Sequence, residues 1–208
     1  MKKIKIIYST LGTLFIALAV TAFRLASLGT DPYSTFNLGF SMLLNMEFGV
    51  FLTISSLLML IYIFFANRAL IGIGTIINIF LVGNLSDVFV NLVTDGFGTF
   101  EGLAIRLILS ALGVVSMSMG AALYIEAKEG VAPYDAMPII LSDKAGISYR
   151  LSRVIVDVSL VIIRFSLGAG LGINTVITAF FLGPFIQFFR NIFEKDLNTK
   201  ALRYATKK

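Results

Sequence analysis

Apolar residues run through this chain in six long stretches, roughly 4–26, 47–66, 70–93, 103–127, 148–168 and 171–193. A helix rises 1.5 Å per residue, so about twenty residues cross a hydrocarbon layer roughly 30 Å thick. Each stretch is long enough, and the pattern predicts six membrane-spanning helices. Short connections at 67–69 and 168–170 make the second and third spans, and the fifth and sixth, tight antiparallel neighbours. A glycine-rich, acidic link at 94–101 joins the third span to the fourth, and the polar stretch 194–208 reads as a short helix or a frayed tail. The N-terminal run resembles a signal peptide in outline. It is longer than a signal core, however, and ends on Arg24 without a small-residue cleavage site, so it is expected to be retained as the first span.

Two further runs, 31–45 and 132–144, are too short to span. Asp31-Pro32-Tyr33 opens the first and Ala132-Pro133-Tyr134-Asp135 the second. An Asp N-cap followed by Pro at the first helical position is a strong helix start. In the first run Tyr33, Phe36, Phe40 and Leu44 share one face, and Ser34, Asn37, Ser41 and Asn45 the other. This pattern fits an amphipathic helix lying in the membrane interface. It fits equally a re-entrant half-helix whose N-terminal N–H groups face a ligand.

The pattern is also written twice. Residues 72–83 align with 172–183, identical at Gly72/Gly172, Ile73/Ile173, Thr75/Thr175, Ile77/Ile177, Phe80/Phe180 and Gly83/Gly183. With an offset one residue greater, Ser9, Leu11, Gly12, Ala26, Gly29, Pro32 and Tyr33 meet Ser110, Leu112, Gly113, Ala127, Gly130, Pro133 and Tyr134. The repeats cover about 4–93 and 103–193 of a single membrane domain, 1–208. Three spans per repeat is an odd number, so the second copy is expected to sit upside down relative to the first, an architecture common among transporters.

Composition sharpens this reading. The chain is 57% hydrophobic and 14% charged, with mean hydropathy +0.91, against roughly 25% charged residues in soluble domains. It has no cysteine and no histidine, which argues against disulfides, zinc sites and hydrolytic triads; no cofactor and no enzymatic activity are expected. With the N-terminus inside, fourteen basic residues fall on the inner side and three, Arg24, Arg106 and Arg164, on the outer. That bias places both termini in the cytoplasm. It also accounts for the net charge of +5 without a nucleic-acid partner.

An ionisable side chain at membrane depth is costly and often marks function. Asp157 lies near the middle of the fifth span, with Arg153 four residues before it and Arg164 seven after, on one helical stripe. An Arg153–Asp157 pair that merely neutralises charge is as good a reading as a ligand or proton role. Asn84, Asp87 and Asn91 form a polar stripe on the third span, and Pro184, Gln187 and Asn191 stand at the matching points of the sixth. The stripe suggests a cavity wall or interhelical hydrogen bonding, with Asp87 the functional candidate. Arg24 and Arg106 are expected to snorkel to headgroups. Gly12, Gly72, Gly83, Gly113, Gly120, Gly172 and Gly183 read as close-packing positions.

Leu28-Gly29-Thr30-Asp31-Pro32-Tyr33, its echo Glu129-Gly130-Val131-Ala132-Pro133-Tyr134-Asp135 and the two Gly-Ile-x-Thr segments with their closing glycines resemble the YczE/YyaS/YitT-type family of bacterial integral membrane proteins. The resemblance covers most of 4–193. It implies a small polytopic protein of the bacterial cytoplasmic membrane; some relatives look like vitamin- or cofactor-linked transport proteins. It supplies no catalytic residues.

The expected function is a small-solute transporter or permease with its site between inverted repeats, for a vitamin-like or anionic metabolite. Asp31, Asn37, Asp87, Tyr134, Asp135, Arg153, Asp157 and Arg164 are the candidates to line it. Asp157 or Asp87 would couple protons or sodium, and Arg164 would hold an anionic group. The expected partners are the lipid bilayer, the solute, and either further copies of the chain or energising subunits. Two rival readings are a substrate-binding subunit of an energy-coupling-factor-type vitamin transporter and a non-transporting regulatory protein. The latter would show a packed interior without a cavity.

Overall fold

The structure, a computed structural model, describes residues 2–166 and 172–205. Every regular element among them is helical. α1 spans Lys2–Ala26, α2 Pro32–Leu43, α3 Phe48–Asn67, α4 Ile73–Phe97, α5 Leu103–Ala127, α6 Pro133–Ala145, α7 Tyr149–Ser166 and α8 Ile173–Ala205. A single 3-10 turn, Arg68–Leu70, joins α3 to α4. The 168–170 connection lies outside the described residues.

Five helices are long and apolar enough to cross a membrane: α1, α3 with its 3-10 turn, α4, α5 and α8 as far as Lys195. The sixth expected span corresponds to α7, which falls short of that standard because Arg150, Arg153, Asp157 and Arg164 interrupt its eighteen residues. Large apolar side chains cover the outside. On α3, Leu58, Ile61 and Phe65 are 64%, 58% and 82% exposed, whereas Leu52, Ser56 and Ile63 on the same helix are buried. A water-soluble surface rarely carries such continuous apolar area. The protein is an all-helical, polytopic membrane protein, with lipid as the solvent for that surface.

Glycines bring α1 and α5 together at the centre. Gly12 lies against Gly120 and Tyr124, and Gly113 against the ring of Phe23, an order that makes the two helices antiparallel. A Cβ on Gly12 would stand 2.6 Å from the Gly120 carbonyl oxygen. The close-packing role expected for the glycines is realised at Gly12, Gly72, Gly83, Gly113, Gly120 and Gly172 but not at Gly183, where a Cβ would meet nothing within 4 Å. α4 runs parallel to α1: Gly74 meets Ser9 at one end, and Asp87 meets Arg24 at the other. α8 runs parallel to α5 in the same manner, with Asn174 on Ser110 at 2.9 Å and Arg190 on Glu126 at 2.7 Å. α2 packs on α3 and α7, and α6 on α7 and α3.

The start of α4 is held by the α5–α6 link, through Gly74 N–H to Glu129 O at 2.7 Å and Val131 N–H to Leu70 O at 2.8 Å. The start of α8 is held by the α1–α2 link, through Asn174 N–H to Leu28 O at 3.0 Å and its side-chain amide to Gly29 O at 3.0 Å. Both links turn on a glycine with positive φ, Gly29 at +91° and Gly130 at +107°, where a side chain would be strained. Backbone also packs directly on backbone there, Gly29 on Gly172 and Gly130 on Gly72.

Two expectations are corrected. Arg24 and Arg106 do not snorkel: Arg24 bonds Asp87 and Ser86, and Arg106 donates to the carbonyls of Ala26 and Ser27 at the end of α1. Carbonyls there lack intrahelical partners. Asn84, Asn91, Gln187 and Asn191 are exposed rather than lining the core. Asn84 bonds back to Phe80 O, and Gln187 bonds Asn191.

Candidate functional site

A cavity of about 60 Å³ lies at the centre and is lined from all eight helices. Ile16, Val20, Val82, Met117, Ala121, Leu182 and Ile186 give it apolar walls. Asp31, Ser34, Ser56, Asn78, Asp135, Arg153 and the rings of Tyr33 and Tyr134 supply the polar part.

The short helices α2 and α6 both begin here. Asp31 caps α2, its Oδ2 accepting from Ser34 N–H at 3.1 Å, and Pro32 and Pro133 occupy the first helical positions. This sequence signal was unambiguous, since Asp satisfies N–H groups that would otherwise lack a partner and Pro needs none. Ser34, Asn37 and Ser41 are buried, while Phe36 and Phe40 on the other face are only partly covered. An interfacial helix would turn its polar face to water; here that face is turned into protein.

Tyr33 and Tyr134 stack face to face at the two helix starts, centroids 4.5 Å apart and planes 5° from parallel. Such a pair contributes about 0.5–1.5 kcal/mol beyond its buried area. The Arg153 guanidinium lies over the Tyr134 ring, 4.8 Å from its centroid. The two hydroxyls reach different partners. Tyr33 OH bonds Ser55 at 3.0 Å and Ser56 at 2.9 Å on α3. Tyr134 OH donates to Asp157 Oδ1 on α7.

Charge is concentrated on the α6–α7 side. Arg153 pairs with Asp135 and, at 3.1 Å, with Asp157, and Tyr124 OH donates to Asp135. Asp157 is 1% exposed. A buried charge persists only when paired and hydrogen-bonded, and this network meets that demand for Asp135, Asp157 and Arg153. Asp31 differs. It is 5% exposed, and its Oδ1 is buried without a hydrogen-bond partner among the described residues.

Beside the cavity, a groove of about 510 Å³ separates α7 from α8. Tyr149, Arg150, Gly183, Gln187, Arg190 and Asn191 line it, and it shares Arg153, Leu182 and Ile186 with the cavity. The corresponding contact between α3 and α4 is closed. Gly49 and Gly83 touch there, so that a Cβ on Gly83 would lie 2.8 Å from Gly49 Cα, whereas a Cβ on Gly183 would meet nothing within 4 Å.

Of the eight candidates from sequence, Asp31, Tyr134, Asp135 and Arg153 line the cavity, and Asp157 bonds two of them. Asn37 stands one step behind, fully buried, bonding Tyr33 O at 2.7 Å and accepting from Ser55 at 2.5 Å. Two candidates are elsewhere. Asp87 ties three helices together, receiving Arg24 at 2.6 Å and Gly49 N–H at the start of α3, also at 2.6 Å. Arg164 lies against Gly39 of α2, where a Cβ would fall on its guanidinium. Sequence reasoning passed over Tyr33, Ser34 and Ser56, although Tyr33 is the repeat partner of Tyr134.

No solved structure matches the chain. An uncharacterized protein of Haemophilus influenzae is 28% identical over 192 residues, covering 89% of this chain and 85% of its own length. The uncharacterized membrane protein YczE of Bacillus subtilis is 25% identical over 162 residues, 78% of this chain and 74% of YczE. The uncharacterized protein YyaS of the same organism is 24% identical over 199 residues, 96% and 98% of the two chains. Residues 3–191 match the model of a family of unknown function, DUF6198, so the chain belongs to that family and its YczE- and YyaS-type relatives.

Proposed function

We propose that this protein is a small-solute transporter of the bacterial cytoplasmic membrane. It is built from two inverted repeats, α1–α4 and α5–α8, with both termini in the cytoplasm, α7 as its sixth crossing and no catalytic chemistry of its own. The observation that carries this reading is the central cavity between the starts of α2 and α6, where the repeat-related Tyr33 and Tyr134 stack. Half-helix N-termini meeting at the seam between repeats are a recurring form of transporter site. Helix directions agree: α1 and α4 run parallel, α5 and α8 run parallel, and α1 opposes α5.

The asymmetry between the copies supplies a route. α3 and α4 are zipped through Gly49 and Gly83, while their counterparts α7 and α8 pack less closely and leave a groove between them. Tyr149 and Arg190, near the expected cytoplasmic ends, line that opening. This is one half-cycle of alternating access, open on the cytoplasmic side. The other half-cycle closes α7 on α8 and separates α3 from α4. A central cavity joined to an open groove favours transport over a purely regulatory role.

Reconstitution in proteoliposomes and an uptake screen with a metabolite panel test this directly. Solute accumulation that Asp157→Asn abolishes is the expected outcome. Failure of every solute to move with correctly folded protein, or full flux in Asp157→Asn, would count against the proposal or remove Asp157 from it.

A further inference from the structure

The central charges are unevenly served. Asp135 and Asp157 share Arg153, which also covers the Tyr134 ring. Arg153 is the only guanidinium or ammonium among the cavity-lining residues. Three carboxylates thus gather around one cation, and the cation is already engaged by two of them. Asp31 is left with an N-capping bond on Oδ2 and, among the described residues, no partner on Oδ1. A buried carboxylate oxygen whose lone pairs accept no hydrogen bond, at the wall of a cavity, is an expensive arrangement unless something positive arrives there.

We propose that the cavity takes a small organic cation, a protonated alkylamine, with Asp31 as its counter-ion. The lining selects among monovalent cations. A primary ammonium needs three acceptors, one for each N–H, and a metal ion needs several oxygens, so the choice between them falls to the rest of the lining. The apolar side chains of Ile16, Val20, Val82 and Met117 complete the wall and suit an alkyl body. About 60 Å³ holds a few heavy atoms, so the amine head and one or two carbons sit inside, and a larger body extends past Leu182 and Ile186 into the groove. An anionic solute is disfavoured because the one cavity-lining arginine is already paired with two carboxylates, through Nε to Asp157 and through a terminal nitrogen to Asp135, and Asp31 adds a third acidic group. The anionic metabolite expected from sequence relied on Arg164, which packs against α2 instead.

This inference rests on the central site of the transport proposal, but its test reads binding, not flux, so the two fail separately. The purified full-length protein in detergent is titrated with ethylammonium chloride at constant ionic strength while its melting temperature is followed. Sodium chloride, neutral acetamide and sodium propionate serve as matched probes. A ligand that binds only the native state raises that temperature saturably. Ethylammonium is expected to give a saturable rise, with none from acetamide or propionate. Asp31→Asn should abolish the rise while keeping the fold, since Asn caps a helix as well as Asp; Asp95→Asn, on an exposed residue, should retain it. Absence of a rise with ethylammonium, a rise with sodium alone or with propionate, or an ethylammonium rise that survives in Asp31→Asn would overturn the assignment. If Asp31→Asn does not fold, the wild-type series across the four probes decides.

Discussion

The stacked tyrosines allow one substitution to be made at two related points with different consequences. Tyr33→Phe and Tyr134→Phe both keep the ring stack, at 4.5 Å and 5°, and both delete one buried hydroxyl. At Tyr33 the lost bonds are neutral, to Ser55 and Ser56, and Ser55 keeps its 2.5 Å bond to Asn37. A neutral buried hydrogen bond contributes about 0.5–1.5 kcal/mol. At Tyr134 the lost bond ends on the carboxylate of Asp157, 1% exposed and left with Arg153 alone. A bond to a charged group contributes about 1.5–3 kcal/mol. The two neutral bonds lost at Tyr33 sum to about 1–3 kcal/mol, against about 1.5–3 kcal/mol for the single charged bond at Tyr134, which also strands a buried carboxylate oxygen. Tyr134→Phe should therefore cost more than Tyr33→Phe, by less than about 1 kcal/mol. Reversible unfolding in mixed micelles, read by far-ultraviolet circular dichroism, gives the two values. Equal costs, or a larger one at Tyr33, would refute the claim that Tyr134 serves a buried charge while Tyr33 serves neutral groups.

Further substitutions separate scaffold from site. Asp87→Ala removes the acceptor for both Arg24 and Gly49 N–H; it should destabilise the fold by about 1.5–3 kcal/mol yet leave transport per folded molecule intact, measured as initial uptake rate normalised to folded protein. Gly130→Ala places a Cβ at +107° against Thr75 and Gly72 and should abolish recovery of monodisperse protein on size exclusion. Gly146→Ala, also at positive φ but with nothing within 4 Å, should cost only about 1 kcal/mol in the micelle unfolding assay. Gly183→Cys should react with a maleimide applied from the cytoplasmic side and Gly83→Cys should be protected, with the order reversing if conditions favour the opposite half-cycle.

Much of the fold was legible in the sequence because the bilayer leaves few choices. The five long apolar helices and the Asp31-Pro32 helix start follow from local rules. The Arg153–Asp157 pair follows from four-residue spacing. What escaped were bonds made between distant segments. Nothing local tells that Asp87 would serve the start of α3, or that Arg153 would reach across to Asp135. The shared helical spacing of Asn84, Asp87 and Asn91 suggests a cavity wall or interhelical hydrogen bonding, yet only Asp87 finds partners on neighbouring helices. Tyr33 was overlooked because a tyrosine on an apolar face looks like packing; its pairing with Tyr134 needs the fold to bring two helix starts together. The charge of α7 has the same origin. Its arginines and aspartate make it too polar to pass as a span, and the cost of Arg153 and Asp157 is met inside the protein by Asp135 and Tyr134 of α6.

The central claim is that two copies of one helical unit lie in opposite orientations with their half-helices meeting at the seam. Because the chain contains no cysteine, single cysteines report sidedness without background. Thr99→Cys, in the α4–α5 link, and Lys144→Cys, at the end of α6, are to be exposed in intact cells to a membrane-impermeant maleimide, before and after permeabilisation. The account predicts labelling of Thr99→Cys in intact cells and of Lys144→Cys only after permeabilisation. Labelling of both from the same side would contradict it.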